Sequence, residues 1–185
     1  MFAIALAATF ADEGSPANTV DALLRAWPCP APEGQAVVSA PRASAGISRW
    51  AVVDRDRRAA PLRDPERQLL FVGDVRLYNR REVGRALDLG EAALDASDAE
   101  LAWKAYLRWG EDAPRRLIGD FAFAVWDGRR GSIFAARDHL GVRPLYYMAN
   151  DTGAYVASDV GQLLAITPRP FAEINAQTIL ERFLR

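Results

Sequence analysis

Three residue types on which many functional sites depend are almost missing. The chain of 185 residues has one cysteine, Cys29, and one histidine, His139, and Lys104 is its one lysine among 23 basic residues. A single cysteine cannot close an internal disulfide, and one Cys with one His cannot assemble a zinc site of several such ligands. A Ser-His-Asp triad with a second supporting His is nearly excluded by the same count. An excess of charge is missing too: 24 acids against 23 bases leave a net charge of −1. That balance argues against nucleic acid or an anionic membrane as a partner, since either usually meets a basic face. No stretch approaches 18 apolar residues, so no transmembrane helix is expected. The opening run MFAIALAATFA is apolar for one strand or short helix only. A signal peptide is its alternative reading, but there is no basic n-region, and a buried strand in a cytoplasmic protein is expected. GxGxxG, GxxxxGK[ST] and HExxH are all absent, which leaves nucleotide and zinc-protease chemistry without a motif.

What is present suits a globular fold. Half the residues are apolar and a quarter are charged, enough for a sizeable core in one domain with at most an appendage. Strands are expected at Phe2–Thr9, Gln35–Ala40, Ser48–Asp54 and Gln68–Val75. A hairpin is expected from Phe121–Trp126 and Ser132–Ala136, and another from Leu145–Met148 and Ala154–Ala157. Asn18 is read as the cap of a helix over Thr19–Ala26, and Asn79 as the cap of one running to Leu87. Ser97-Asp98-Ala99-Glu100 is a capping box opening a helix that ends at Gly110. Short helices are expected at Val160–Leu164 and Asn175–Leu184. The three prolines of Trp27–Pro32 require a loop, and Arg55–Glu66 reads as a solvated turn or hairpin loop. Strands with helices inserted in blocks give an α+β fold with largely antiparallel sheets.

The residues alone leave the chemistry open. Asp127 and Asp138 flank one hairpin as candidate paired carboxylates, with turn capping as the alternative. His139 is a candidate base or a loop histidine with a structural hydrogen bond. Cys29 has no base nearby and reads as an inert thiol. The five tryptophans are expected to pack the core.

Two segments carry more. Leu117-Ile118-Gly119-Asp120-Phe121-Ala122-Phe123-Ala124-Val125-Trp126-Asp127 is followed by Ala136-Arg137-Asp138-His139-Leu140-Gly141-Val142-Arg143-Pro144-Leu145-Tyr146-Tyr147. Upstream, Leu77-Tyr78-Asn79 and Ser97-Asp98-Ala99-Glu100 stand in matching order. Together they resemble the glutaminase domain of the asparagine synthetase family, the class II glutamine amidotransferases. The resemblance covers positions 1–170 and implies the N-terminal-nucleophile hydrolase fold, an αββα sandwich of two antiparallel sheets. Positions 171–185 then read as the start of a linker or helix toward a synthetase domain that does not occur in this chain.

The resemblance also implies a nucleophilic cysteine at the second position, acting with its own α-amine as base. Here that position is Phe2, which offers no nucleophile and whose bulk is expected to block removal of Met1. The family's Asn-Gly oxyanion pair falls on Asp74 and Val75; an ionised Asp accepts hydrogen bonds where the reaction needs a donor. Arg49 matches the residue that holds the glutamine carboxylate. Asp98 matches the one that holds its amine, although helix capping is sufficient for it. Arg137, Asp138 and Gly141 are read as structural, with an Arg-Asp pair pinning the loop before Pro144 and the glycine supplying the turn's φ. The Asp74-Val75-Arg76-Leu77 form with Arg80-Arg81-Glu82 looks closer to the cysteine-less branch, the β-lactam synthetases and the macrolactam cyclases of lasso peptide biosynthesis.

The resulting expectation is a catalytically inactive glutaminase-like domain that serves as scaffold for an ATP-dependent amide-forming synthetase, in cis or in trans. A peptide substrate or other biosynthetic proteins are further possible partners. ATP and Mg²⁺ are expected only in the synthetase half, with no cofactor or metal in this domain. The rival readings are a stand-alone binding module using the old pocket around Arg49 and Asp98, and a residual glutaminase.

Overall fold

Alternation of small and branched apolar residues lays down two sheets. The computed structural model describes residues 2–10, 15–29, 31–51 and 57–167. The expected helix at 175–184, the proposed linker at 171–185 and the end of the strand expected at 48–54 lie outside them.

Among the described residues there are nine strands and five α-helices. The strands are β1 (Ala3–Thr9), β2 (Gln35–Ala40), β3 (Ala43–Ser48), β4 (Leu62–Asp64), β5 (Leu69–Leu77), β6 (Gly119–Asp127), β7 (Ser132–Arg137), β8 (Tyr146–Asn150) and β9 (Gly153–Ala157). The α-helices are α1 (Pro16–Arg25), α2 (Arg80–Ala86), α3 (Ala92–Asp95), α4 (Asp98–Trp109) and α5 (Val160–Ala165), and a 3₁₀ helix spans Gly110–Arg116. One sheet has the order β2-β3-β1-β9-β8, the other β4-β5-β6-β7. Every pairing is antiparallel.

Three clusters of buried side chains define the layers. Phe2, Ile4 and Leu6 from β1 and its start meet Leu70, Val72, Ala124 and Trp126 between the sheets. Phe71, Val75, Phe121 and Phe123 pack outward against Leu101, Trp103 and Tyr106 of α4. Ala5 and Ala7 pack outward on the other side against Val20, Leu23 and Leu24 of α1 and Leu163 of α5. This is the expected α+β architecture, two antiparallel sheets between two helical layers.

Several expectations need correction. The strand expected from Ser48 ends there: β3 precedes it, and its small residues hid it. Gly46 lies so close under α1 that an added Cβ would sit 2.6 Å from Val20 Cγ1 and 2.7 Å from Leu24 Cδ1. The segment 55–66 contains β4, whose register sets Leu62 opposite Phe71. Helix α1 is capped by Ser15 rather than Asn18: the Ser15 side chain accepts from Asn18 N, and Pro16 takes the first turn, where its missing N–H costs nothing. Asn79 precedes α2 without capping it. Trp103 and Trp126 are buried, but Trp50 is 47 % exposed. The capping box holds in full, with Glu100 N to Ser97 Oγ at 3.2 Å and Ser97 N to Glu100 Oε2 at 2.6 Å. Among the described residues no helix is long and apolar enough to cross a membrane.

Candidate functional site

The pairing of β1 with β3 sets Ala3 opposite Ser48, so Phe2 and Arg49 stand side by side just beyond the strand ends. Phe2 is buried in the cluster between the sheets. Ile4 N donates to Ser158 Oγ at 2.9 Å, which ties the end of β9 to the same end of β1. Arg49 is half-buried, and its backbone N donates to Gly34 O at 3.0 Å. Its side-chain Nε is buried without a hydrogen-bond partner.

On β5, side chains at alternate positions share a face. Leu70 and Val72 face the inter-sheet core, so Asp74 faces the same way, while Val75 packs outward toward α4. Asp74 is buried, and its Oδ2 lies 3.3 Å from Nη1 of Arg143. An acidic group aimed into an apolar interior needs such a partner, because an unpaired buried charge is costly.

Arg143 is delivered by the loop after β7, which Asp138 organises. Its Oδ1 accepts from Leu140 N (3.1 Å) and Val142 N (2.9 Å), and its Oδ2 accepts from Arg143 N (3.0 Å) and Phe121 N (3.2 Å). Burial alone would push this carboxyl up, but the four N–H donors together outweigh it and hold it below the ordinary 3.8. Gly141 adopts φ +67°, and its Cα packs on the Arg137 guanidinium, which a Cβ would approach to 3.3 Å. The expected Arg137–Asp138 ion pair is therefore not what pins the loop: Asp138 works through backbone N–H groups, and Arg137 covers the glycine. The paired-carboxylate alternative is not realised either. Asp127 caps its own turn, accepting from Arg129 N and Arg130 N. His139 is exposed and makes no hydrogen bond among the described residues, contrary to the structural bond expected of it. Cys29 is free and exposed.

Asp98 lies apart from these groups, at the start of α4. Its Oδ2 accepts from Leu77 N at 3.2 Å and its Oδ1 from Arg80 Nη1. Arg80 also donates to Ala93 O and Ala96 O, both at 2.9 Å. Asp98 is thus a buried tie between β5, α2 and the start of α4, whereas the cap itself belongs to Ser97. Among the described residues no three His, Cys, Asp or Glu side chains converge as metal ligands would.

A family model described as a glutamine amidotransferase domain matches residues 1–185. The chain belongs to the glutamine amidotransferase domain family. It is 35 % identical over 125 residues to asparagine synthetase [glutamine-hydrolyzing] 3 of Bacillus subtilis, covering 65 % of this chain and 20 % of that protein. A putative asparagine synthetase [glutamine-hydrolyzing] of Mycobacterium tuberculosis is 35 % identical over 127 residues, covering 64 % and 19 %. This amidotransferase domain therefore spans about a fifth of the length of the curated relatives it matches. Among solved structures it superposes on glutamine phosphoribosylpyrophosphate amidotransferase from B. subtilis with a TM-score of 0.64. There the sequences are 16 % identical, over 89 % of this chain and 43 % of that one. The likeness is one of fold, the N-terminal-nucleophile hydrolase sandwich.

Within the amidotransferase domain, the structure gathers Phe2 and Arg49 at one end of β1 and β3, and pairs Asp74 with a residue the sequence reading did not single out. Arg143 lies 69 positions from Asp74, and only folding brings the two together. Arg80 was likewise noted only as part of a motif, yet it occupies Asp98.

Proposed function

We propose that this domain does not hydrolyse glutamine and serves as the scaffold of an ATP-dependent, asparagine synthetase-like enzyme that forms an amide. The observation that carries the reading is the Asp74–Arg143 ion pair. Where acyl transfer needs a neutral donor aimed at a developing oxyanion, this domain has a carboxylate committed to a cation. Losing one such donor typically costs about 2.7–4 kcal/mol of transition-state stabilisation. Phe2 at the head of β1 supplies no nucleophile, and its ring fills the inter-sheet core.

Asp98, the other acid to which the family resemblance points, is also spent. Asp98 gives both oxygens to Leu77 N and Arg80, which counts against a module that grips an amino acid by carboxylate and amine together. The unpartnered Nε of Arg49 favours at most a carboxylate contact. Within the family, the Asp-Val-Arg-Leu segment and its ion pair support the cysteine-less branch, of the β-lactam synthetase or lasso peptide cyclase type. In that reading a partner half in cis binds ATP and Mg²⁺, activates a carboxylate and receives an amine, for example from a peptide substrate, in the cytoplasm. Neither ATP nor Mg²⁺ is assigned to this domain.

The test is ammonia release from glutamine by the purified native polypeptide and by its Phe2→Cys and Asp74→Asn variants, singly and together. None of the single variants is expected to exceed the buffer blank. Release by the unaltered protein would overturn the reading. Calorimetry with glutamine and aspartate should show no heat; saturable heat with glutamine would favour the binding-module reading instead.

A further inference from the structure

We propose that the mouth between the two sheets, at the end of the sandwich remote from Phe2 and Arg49, binds a small organic phosphate ester. Phe2 stands at the start of β1. Thr9 closes its other end and donates from its backbone N to Arg42 O at 2.9 Å. Seven residue steps at about 3.3 Å each set the two ends roughly 23 Å apart. At the Arg42 end, Pro41, Arg42, Arg63, Pro65, Gln68 and Trp126 line a cavity of about 310 Å³, at the lower limit of the ligand-sized range.

The indole of Trp126 points to a ligand. The residue is 3 % exposed, yet its Nε1 is buried with no hydrogen-bond partner. A buried indole N–H ordinarily finds an acceptor, and leaving the bond unmade costs free energy. No side chain fills the space beside it either. Gly128 also lines the cavity, and a Cβ there would sit 3.4 Å from Trp126 Nε1 and 3.2 Å from Gln68 O. The indole nitrogen therefore lies against the cavity wall at Gly128, where the missing side chain leaves room for an acceptor from outside.

Charge and shape name that acceptor. The lining carries two guanidinium groups and no carboxylate. Arg42 donates through Nε to Thr9 O at 3.3 Å and through Nη2 to Phe10 O. These bonds hold its guanidinium in place and leave Nη1 without a partner among the described residues. The Arg63 side chain makes no hydrogen bond or ion pair among the described residues. The neighbouring acids are taken, Asp64 by Arg67 and Asp127 by Arg129 N and Arg130 N. Two cations and an N–H donor suit a dianion with three acceptor oxygens, which a phosphate monoester supplies and a carboxylate does not. Pro41, Pro65 and the indole ring offer apolar walls to an organic body. The site shares no residue with the remnant glutamine pocket and does not depend on the scaffold reading.

The test follows the Trp126 indole N–H signal by nuclear magnetic resonance in the native polypeptide, isotopically labelled at tryptophan, with the signal assigned by cross-relaxation to Gly128. Phenyl phosphate is the probe, with inorganic phosphate and benzoate beside it. A saturable shift with phenyl phosphate is expected, at lower concentration than with either of the others. Arg63→Gln should weaken binding roughly tenfold or more, since a hydrogen bond to a charged group is lost. Gly128→Ala should weaken it by closing the space beside Nε1. Arg115→Gln, at an exposed position on the 3₁₀ helix, should leave it unchanged. No saturable shift, a shift that survives both Arg63→Gln and Gly128→Ala, or one matched at equal concentration by benzoate or by inorganic phosphate would overturn the proposal.

Discussion

At the scale of single residues, the buried acids Asp74, Asp98 and Asp138 have exchanged solvent for fixed partners. Asp138 serves four backbone N–H groups, three in the loop after β7 and one, that of Phe121, in β6. Replacing it with Ala leaves those donors without their acceptor, and we expect a loss on the order of 3 kcal/mol, read as a lower urea midpoint. Its pH signature follows from a folded pKa below the unfolded value. The contribution is complete above the unfolded value of about 3.9 and disappears as pH falls through the lower folded value. The midpoint gap between wild type and Asp138→Asn should therefore be constant near pH 7 and narrow below about pH 4; a gap that widens in acid contradicts the assignment. Asp74 is expected to matter in the same way. Asp74→Ala strands Arg143 in a mostly buried position and should cost about 3 kcal/mol, with Asp74→Asn milder because its amide oxygen still accepts. The Asp74 pairing is not legible in the sequence, since Arg143 meets it only after folding; Asp138 reads there as structural, but with Arg137 as its partner in place of the backbone N–H groups it binds. The sequence does show that Asp74 is an acid in an apolar strand, and that such a group must find a partner.

At the scale of elements, what could be read depended on whether the signal was local. The capping box of α4 lies within four residues, so it is visible in the sequence and present in the fold. Ser97→Ala should lower stability by about 1 kcal/mol, measurable as a shift in thermal midpoint; no shift would mean that Glu100 and the tertiary contacts hold the helix end without it. Helix α1 was placed three residues late because Asn18 is as good a cap as Ser15 by type, and Pro16 decides between them. β3 was missed because Ala43-Ser44-Ala45-Gly46 has little β propensity. It is a strand because small residues let α1 approach, a reason that lies in another element. Gly46→Ala should accordingly cost about 2 kcal/mol, as overpacking of a closed contact does. A neutral outcome in urea denaturation would mean that α1 can lift off its sheet freely.

At the scale of the whole molecule, the order of strands was beyond reach of local signals. The chain fills one sheet with β1 to β3, builds the other with β4 to β7, and returns with β8 and β9 to pair β9 against β1. Residues 3–9 and 153–157 thus close a sheet across almost the full described chain, and nothing in either segment alone names the other. The fold class was legible from the mixture of periodicities, and the family resemblance supplied the layered arrangement. This topology has a thermodynamic consequence. The inter-sheet cluster joins Phe2, Ile4, Leu6, Ala45, Leu70, Val72 and Trp126, drawn from both sheets. Neither sheet can keep that face dry without the other, so the two should unfold as one. Leu6 is fully buried there, and Leu6→Ala should cost about 3 kcal/mol. The loss should move the far-ultraviolet circular dichroism and tryptophan fluorescence transitions to the same lower urea concentration, as two-state unfolding requires. Transitions that separate in the variant would mean that the β4–β7 sheet and its helices persist alone. The two sheets would then be independent in stability.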